Sequence, residues 1–319
     1  FMKEIKHNWS LDELRKLYSL PIMDLINMGH EVLNRWHPKN EIQLCSLISI
    51  KTGGCPEDCK YCSQSARYKT VVKPEPLMKV DEVVAFAKKK VAEGATRICF
   101  GAAIREVKND HLFSQALKMV EEIKALGTEV CCCLGMLNKE QAEKLKAAGL
   151  TAYNHNLDTS EAFYPNIITT RNYQDRLDTL TACEEVGLSV CCGGILGLGE
   201  SIEDRLEMIK TIANRTPHPS SVPINLLEAN FGTPLEKSPP VDLLEWIKAI
   251  AIARIALPQA KIRLAAGREK LSEAEQLLCF MAGANSIFLG EKLLTCPNVK
   301  ESKDRKMLEK MGLNRCCTP

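Results

Sequence analysis

Short apolar runs alternate with amphipathic segments along most of the chain. The apolar runs are rich in Val, Ile, Leu and Cys and have the length of buried strands; they cover residues 41–50, 96–103, 129–135, 151–158, 188–198, 221–229, 261–267 and 286–290. In the segments between them, apolar residues recur at helical spacing, with the helices predicted at 80–94, 112–127, 138–149, 173–187, 201–214, 241–257 and 270–283. This alternation predicts an α/β fold, a (β/α)8 TIM-type barrel whose active site lies at the carboxyl ends of the strands.

The flanks of this repeating pattern suggest three regions. Residues 1–40 precede the first strand and predict an N-terminal helical extension, residues 41–300 form the barrel, and residues 301–319 are a charged C-terminal tail. A single barrel domain with extensions fits a chain of 319 residues. The segment 51–78 follows the first strand, has little periodicity and is predicted to be a functional loop.

Charge and cysteine content narrow the possible partners. The 42 basic and 40 acidic residues leave a formal charge of +2 without long blocks of one sign, so we expect a small-molecule partner and neither nucleic acid nor membrane. The first twenty residues lack the apolar core of a signal peptide, and no run of eighteen apolar residues occurs, which leads us to expect a soluble cytoplasmic protein. Fifteen cysteines, an odd number, then suggest reduced thiols and metal ligation.

Three of these cysteines are concentrated in the sequence CPEDCKYC, residues 55–62. A structural zinc ion normally takes four ligands, whereas a cubane iron–sulfur cluster with three thiolates keeps one iron open for a further ligand. The C-x3-C-x2-C spacing of Cys55, Cys59 and Cys62 resembles that of the radical S-adenosylmethionine (SAM) enzymes, with a zinc or structural cluster site as the alternative. Tyr61 either faces the adenine of the cofactor or packs the loop.

A second group of cysteines lies inside predicted strands. Because inward positions of different barrel strands meet, Cys99, Cys131 and Cys191 can converge in the lumen, together with Arg263. A buried arginine needs an anionic partner, so the four residues predict a second iron–sulfur site, although any one strand cysteine alone is more simply core packing. Cys133 shares a strand face with Cys131 and remains a competitor for the same role.

Longer motifs connect these two sites to one family. The segments SIKTGGCPEDCKYCSQSARY, YNHNLDTS, NIITTRNYQDRLDTL, GGILGLGE, VPINLL, IRLAAGRE and CFMAGANSIF, followed by KLLT, resemble the biotin synthase family across nearly all of residues 41–298. The resemblance implies a homodimeric sulfurtransferase that forms biotin from dethiobiotin by using a SAM-derived 5′-deoxyadenosyl radical. It also implies a 4Fe-4S cluster on Cys55, Cys59 and Cys62, and a sacrificial 2Fe-2S cluster on Cys99, Cys131, Cys191 and Arg263.

The same resemblance implies roles for residues around the clusters. Cofactor contacts are expected from the following residues: Tyr61, Gly101, Ala102, Asn156, Asp158, Arg176 and Ile195. Strand alternation would point Asn154, Asn156 and Asp158 inward. Dethiobiotin contacts are expected from Asn156, Asn225 and Thr295, with Cys296 at a position where the family usually has a second threonine.

Some of these roles have simpler alternatives. A solvated salt bridge is the alternative for Arg176, and turn geometry is the alternative for the glycine-rich strand ends. Cys45, Cys183 and Cys279 are interpreted as core residues, while Cys316 and Cys317 in the tail have no assigned role. Flavodoxin or ferredoxin as electron donor and iron–sulfur assembly proteins are the other expected partners. Rival functions are another radical SAM enzyme of the hydrogenase-maturase or lipoyl synthase type, and a non-catalytic iron–sulfur carrier.

Overall fold

The chain forms a closed barrel of parallel strands surrounded by helices, as the sequence predicts. A computed structural model describes residues 4–316. The strands are β1 (Glu41–Lys51), β2 (Arg97–Ala102), β3 (Glu129–Cys133), β4 (Ala152–Asn154), β5 (Ser189–Cys191), β6 (Gly194–Leu196), β7 (Ser221–Leu226), β8 (Lys261–Leu264), β9 (Ser286–Leu289) and β10 (Asn314–Arg315). Pairing of β9 with β1 closes the barrel, and β5 and β6 together occupy the fifth position, each paired with β7.

Helices cover the outside of the barrel; two of them precede β1 and the others come after it, between or beyond the later strands. They are α1 (Leu11–Tyr18), α2 (Ile22–Trp36), α3 (Val80–Ala92), α4 (His111–Lys124), α5 (Lys139–Ala147), α6 (Tyr173–Glu185), α7 (Ile202–Ala213), α8 (Leu243–Ala256), α9 (Glu273–Met281) and α10 (Glu301–Lys310). Side-chain caps fix where several of them begin; in α5 and α6 the caps are Asn138 and Asn172, each within a capping box. Such a cap stabilises a helix start by about 1 kcal/mol, which explains why the predicted helix positions agree closely with those observed.

The N-terminal extension is packed tightly against the barrel layer. Helix α2 lies on α8, which is buried along most of its length, including Trp246 and Arg254. Gly29 of α2 lies so close to α9 that a Cβ atom there would be 2.3 Å from the carbonyl oxygen of Ala282. The close approach requires glycine at this position, and the extension is therefore an integral outer layer of the barrel.

The C-terminal segment is also attached to the barrel. Within the predicted tail, α10 buries Met307 and Leu308, and Asp304 forms an ion pair with Arg268 at an N–O distance of 2.7 Å, with both side chains fully buried. Strand β10 then pairs in parallel with the start of β1. Cys316 is buried after this strand, whereas Cys317 lies outside the described residues. Within residues 4–316, no helix combines the length and the apolarity that crossing a bilayer requires.

Candidate active site

A cavity of about 260 Å³ occupies the barrel lumen and opens toward the loops. It is lined by residues of the three-cysteine loop, of several strand ends and of the segment after β9. Most of the predicted site residues contribute to its wall, namely Tyr61, Cys62, Cys99, Gly101, Cys131, Asn156, Cys191, Ile195, Asn225, Arg263 and Thr295. Cys55, Cys59, Ala102, Asp158 and Arg176 do not form part of this wall and lie around it.

The three-cysteine loop folds back on itself through backbone hydrogen bonds. The amide of Cys55 donates to the carbonyl of Gln64 at 3.0 Å, and the amide of Ala66 donates back to the carbonyl of Cys55 at 2.7 Å. Within the loop, the amide of Cys62 donates to the carbonyl of Cys59 at 2.9 Å. These bonds hold the three cysteines in one compact turn, as shared ligation of a cluster requires.

Two acidic residues between the cysteines attach the loop to neighbouring segments of the chain. The carboxylate of Asp58 accepts hydrogen bonds from the amides of Thr169 and Thr170, at 2.9 and 3.2 Å. Glu57 is buried and forms an ion pair with Arg105 at 2.6 Å. Charge-assisted hydrogen bonds within the protein therefore fix the position of the loop.

Arg171 is a functional candidate that the sequence analysis missed. Its Nη2 lies 3.8 Å from Sγ of Cys59. Burial raises the pKa of Cys59, and the positive charges of Arg171 and Arg176 offset only part of that rise. Burial likewise raises the pKa of Cys55, and it raises that of Cys62 to about 12. The signal that could have found Arg171 is the basic residue in the quoted TTRN sequence.

Tyr61, Asp158 and Arg176 form a buried network behind the loop. The Tyr61 hydroxyl donates to Oδ2 of Asp158 at 2.7 Å, and Nη2 of Arg176 donates to the same oxygen at 2.5 Å. Nε of Arg176 donates to the hydroxyl of Tyr164 at 2.9 Å. Arg176 is thus neither solvated nor exposed to the cavity, and the carboxylate that it contacts belongs to the protein.

Strand alternation correctly predicts that Asn154 and Asn156 face the cavity, whereas Asp158 lies next to its wall and contacts Tyr61. Both asparagines line the cavity. Strand β4 ends at Asn154, however, and Asp158 has a φ of +69°, a left-handed conformation that aspartate tolerates better than most residues. The regular strand therefore ends before residue 158, which pairs with Gly194 through an isolated parallel bridge. The Asp158 carboxylate accepts hydrogen bonds from Tyr61 and Arg176.

The glycine-rich end of the fifth strand position is required by packing. A Cβ atom on Gly193 would lie 1.9 Å from the carbonyl oxygen of Pro223, and one on Gly194 would lie 2.0 Å from the sulfur of Met208. The amide of Gly193 donates to Oδ1 of Asn156 at 3.1 Å. Close packing therefore accounts for these two glycines, and it also places Ile195 on the cavity wall.

The predicted substrate-binding residues lie on the wall formed by the later strands. Nδ2 of Asn225 donates to the carbonyl of Gly194 at 3.1 Å, and its Oδ1 accepts from the amide of Ala266 at 3.1 Å. The Thr295 hydroxyl lies 2.9 Å from that of Ser63, so it links this wall to the three-cysteine loop. Both side chains are held in fixed positions, which suits recognition of a polar ligand.

Deep in the lumen, four cysteines form what we call the thiol chamber: Cys45, Cys99, Cys131 and Cys191. Register pairs Cys99 with Cys131 on adjacent strands and pairs Cys133 with Gly101, nearer the carboxyl end. Hydrogen bonding from the Cys131 thiol lowers the pKa of Cys99 and lowers that of Cys191 well below its usual value. Cys131, not Cys133, therefore belongs to the chamber.

Arg263 lies at one side of the thiol chamber and contacts two of its sulfurs. Its Nη1 lies 3.7 Å from Sγ of Cys191 and its Nη2 lies 3.2 Å from Sγ of Cys45. Nε donates to the hydroxyl of Ser286 at 2.9 Å, and Nη2 donates to Oε1 of Gln43 at 3.2 Å. Burial acts to lower the pKa of Arg263, but the neighbouring thiolates outweigh it and the net shift is upward.

Comparison with known proteins identifies the family. The Radical SAM superfamily model matches residues 49–212, and the model of the Biotin and Thiamin Synthesis associated domain matches residues 223–314. The biotin synthase of Myxococcus xanthus (strain DK1622) is 54% identical over 310 residues, which cover 97% of this chain and 90% of that protein. This chain belongs to the biotin synthase family. The mitochondrial biotin synthase of Arabidopsis thaliana is 53% identical over 309 residues, covering 97% of this chain and 82% of that protein.

Solved structures agree with the fold of this biotin synthase family member. The crystal structure of methylornithine synthase (PylB) has a TM-score of 0.80 at 19% identity and covers 96% of this chain and 94% of that chain. The hydrogenase maturase HydG from Carboxydothermus hydrogenoformans has a TM-score of 0.81 at 17% identity and covers 97% of this chain and 76% of that chain. At these identities the likeness concerns the barrel fold alone.

Family membership makes the chain an enzyme and implies its cofactors. The Radical SAM superfamily implies a 4Fe-4S cluster and S-adenosylmethionine, and the biotin synthase family implies a 2Fe-2S cluster. In the described part of the chain, no three His, Cys, Asp or Glu side chains gather closely enough to hold one metal ion. Clusters distribute their ligands over several irons and need no such grouping, and free thiols in the loop and in the chamber fit as their ligands.

Proposed function

We propose that this chain catalyses insertion of one sulfur atom into dethiobiotin to form biotin. The observation that carries the proposal is that two separate cysteine sets border one cavity, with Cys62 of the loop at one part of its wall and Cys99, Cys131 and Cys191 at another. A single structural metal site would need only one set. Two sets around a ligand-sized space suit an enzyme that generates a radical at one centre and obtains sulfur at the other.

In this proposal Cys55, Cys59 and Cys62 hold the 4Fe-4S cluster. With S-adenosylmethionine bound, these three thiolates would hold a cluster whose chemistry is one-electron reduction of the cofactor, which would provide a 5′-deoxyadenosyl radical. Tyr61, Gly101 and Ile195 provide the nearby cavity wall for the cofactor. Exclusion of water and of other hydrogen donors is the protein's task at this point, because a radical would otherwise be quenched.

Asp158 and Arg176 contribute to cofactor binding in different ways in this proposal. Ala102 ends β2 beside Gly101, where backbone groups can receive the amino group of the cofactor. Asp158 already has two donors on one oxygen, so its second oxygen is the one that remains to accept from a ribose hydroxyl. Arg176 is best described as a positioning residue, because its guanidinium orients Asp158 and Tyr164.

Dethiobiotin is proposed to lie between the two cysteine sets. Asn156 and Asn225 offer amide groups for the ureido ring, and Thr295 offers a hydroxyl for the carboxylate tail. Cys99, Cys131, Cys191 and Arg263 are proposed to hold the 2Fe-2S cluster that supplies the sulfur atom. A homodimer, a flavodoxin or ferredoxin as electron donor, iron–sulfur assembly partners and a cytoplasmic location remain predictions.

Replacement of one loop cysteine tests this assignment. We expect Cys55→Ala, reconstituted without oxygen, to lose 5′-deoxyadenosine and biotin formation by more than about a hundred-fold while its circular dichroism matches wild type, because three thiolates are needed to hold the cubane. Cys183→Ala is the matched control, since Cys183 is buried in α6 away from both sets. Undiminished turnover by Cys55→Ala would refute the assignment.

The same assays separate the rival functions. Formation of 5′-deoxyadenosine by the wild-type protein without biotin from dethiobiotin would point to a different radical SAM reaction, such as that of a hydrogenase maturase. Stable clusters without any cleavage of S-adenosylmethionine would point to a non-catalytic carrier. Biotin formation that depends on both S-adenosylmethionine and dethiobiotin is the result we expect.

A further inference from the structure

The thiol chamber contains one sulfur more than the proposed ligand set uses. Cys45 lies on β1, in register with Arg97 of β2 and Phe288 of β9, and its side chain is fully buried. It belongs to the same small apolar group as the three proposed cysteine ligands. Sequence analysis assigned Cys45 to ordinary core packing, and the structure instead places its thiol beside the second cluster site.

The Cys45 thiol is surrounded by polar and charged side chains, whereas a cysteine that only packs the core has apolar neighbours. Its Sγ lies 3.2 Å from Nη2 of Arg263, 3.5 Å from Oε1 of Gln43 and 3.7 Å from the hydroxyl of Ser286. Arg263 contacts the same two polar residues. Cys45 and Arg263 therefore approach the chamber from the same side, and one position in it is within reach of both side chains.

The position that Cys45 and Arg263 can both reach corresponds to the fourth ligand position of the proposed cluster. A 2Fe-2S cluster takes four protein ligands, and Cys99, Cys131 and Cys191 supply three of them in the proposed function. A guanidinium has only N–H donors and must give up a proton before a nitrogen can bind iron. A thiolate is the usual ligand of such clusters, so Cys45 is chemically the better suited of the two candidates.

We propose that Cys45 is an additional ligand-competent thiol of this site. It completes an all-cysteine 2Fe-2S cluster when Arg263 does not coordinate, and it is otherwise the sulfur partner of the Arg263 guanidinium. No bond other than an iron–sulfur bond forms, and the proton that leaves the thiol passes to solvent during assembly. This inference rests on the proposed function, since that function supplies the 2Fe-2S cluster.

The test compares cluster content in full-length protein reconstituted anaerobically with iron and sulfide. The variants are Arg263→Met, Cys45→Ala and the double variant, and the readouts are iron and sulfide per chain with visible and Mössbauer spectra. We expect Arg263→Met and Cys45→Ala each to keep at least half of the wild-type 2Fe-2S content. The double variant should lose about ten-fold or more, because only three ligands remain.

A matched control excludes an effect of simply losing a second thiol. Cys132 is buried in β3 beside Cys131 but belongs to the main core outside the chamber, so Arg263→Met combined with Cys132→Ala should behave like Arg263→Met alone. Thermal unfolding of each apo variant checks that the barrel is intact, and an unfolded double variant would be replaced by Cys45→Val with Arg263→Met.

Two results would overturn the inference. One is equal 2Fe-2S content in Arg263→Met and in the double variant, and the other is loss of the cluster from Arg263→Met itself. Neither would contradict the proposed function, because each concerns only which side chain fills the fourth ligand position. Biotin and 5′-deoxyadenosine formation by the wild-type protein test that function separately. A wild-type protein that takes up no second cluster would overturn both proposals together.

Discussion

At the scale of single residues, Cys296 lies beside Thr295, the residue proposed to bind the carboxylate of the substrate. Its sulfur lies 3.9 Å from the hydroxyl of Thr295 and 3.8 Å from Oδ1 of Asn230, at the cavity wall. A hydrogen bond to a charged group contributes about 1.5–3 kcal/mol, and a thiol is a weak donor. We therefore predict that Cys296→Thr lowers the KM for dethiobiotin by on the order of ten-fold with kcat unchanged, as measured by steady-state biotin formation.

Cys296→Ala is the control for this prediction. It removes the thiol without adding a hydroxyl, so KM should stay within about two-fold of wild type, because a weak donor contributes little. A higher KM in Cys296→Thr, or an equal gain in Cys296→Ala, would show that position 296 does not contact the carboxylate.

The residues that the sequence identifies have partners nearby in the chain, whereas the residues that it misses have partners far away in the chain. Cys55, Cys59 and Cys62 are recognisable because their spacing is local. The role proposed for Cys45 rests on its contact with Arg263, 218 positions away, and Arg171 is a candidate because it contacts Cys59, 112 positions away. Apolar neighbours in the sequence made Cys45 resemble core, since a local pattern contains no information about a contact across the barrel.

At the scale of elements, the periodicity of a strand predicts its existence better than its end. The predicted strand 151–158 is observed only as Ala152–Asn154, and the predicted 188–198 is divided into β5 and β6. Beyond the end of β4, Asn156 lies on the cavity wall, and between β5 and β6 Gly193 packs against the carbonyl of Pro223. At Asp158 the left-handed φ of +69° interrupts the regular strand geometry on which alternation depends.

The junction of α2 with α8 provides a prediction about pH. His37 follows α2, and its Nε2 lies 2.9 Å from Nη1 of Arg254 in α8. Burial, with the charges of Arg254 and Lys261, lowers the pKa of His37 to about 3. Below the usual histidine pKa of about 6.5, the unfolded chain binds a proton that the folded chain does not, so folding stability falls as pH decreases from about 6.5 toward 3.

We predict that this junction contributes about 1–2 kcal/mol to the loss of unfolding free energy between pH 7 and pH 5. In His37→Gln that part of the loss should disappear, because glutamine has no proton to bind in this range. Denaturant unfolding at the two pH values measures the difference. His30→Gln, on an exposed position of α2, should retain the wild-type pH dependence; equal slopes in all three proteins would contradict the prediction.

At the scale of the whole molecule, the closed barrel follows from repetition of a local unit. Eight strand–helix units in order can be recognised one at a time, and their closure through β9 and β1 then needs no further signal. The relative register of the strands cannot be recognised one unit at a time, because it decides which side chains of different strands share a layer of the lumen. The attachment of α10 was also not recognisable from the sequence. Its buried residues Met307 and Leu308 lie among lysines and glutamates, which led to the prediction of a charged tail.

The attachment of α10 supports the last prediction. Arg268 donates to both oxygens of Asp304 at 2.7 Å, and its Nη2 also donates to the carbonyl of Phe288, whose side chain borders the cavity. Removal of one partner from a fully buried ion pair leaves an uncompensated charge, which costs about 3–5 kcal/mol. We predict that Asp304→Ala lowers the free energy of unfolding by this amount, as measured by urea denaturation, and exposes α10 to limited proteolysis.

Two further variants make this prediction specific to the buried pair. Glu309→Ala changes an exposed acid on the same helix and should alter stability by less than about 0.5 kcal/mol. Arg268→Met combined with Asp304→Leu removes both charges, and it should recover a large part of the stability that Asp304→Ala loses, because apolar side chains replace a buried pair without leaving a charge. If the free energy of unfolding of Asp304→Ala lies within about 1 kcal/mol of the wild-type value, α10 is held by apolar packing and not by this ion pair.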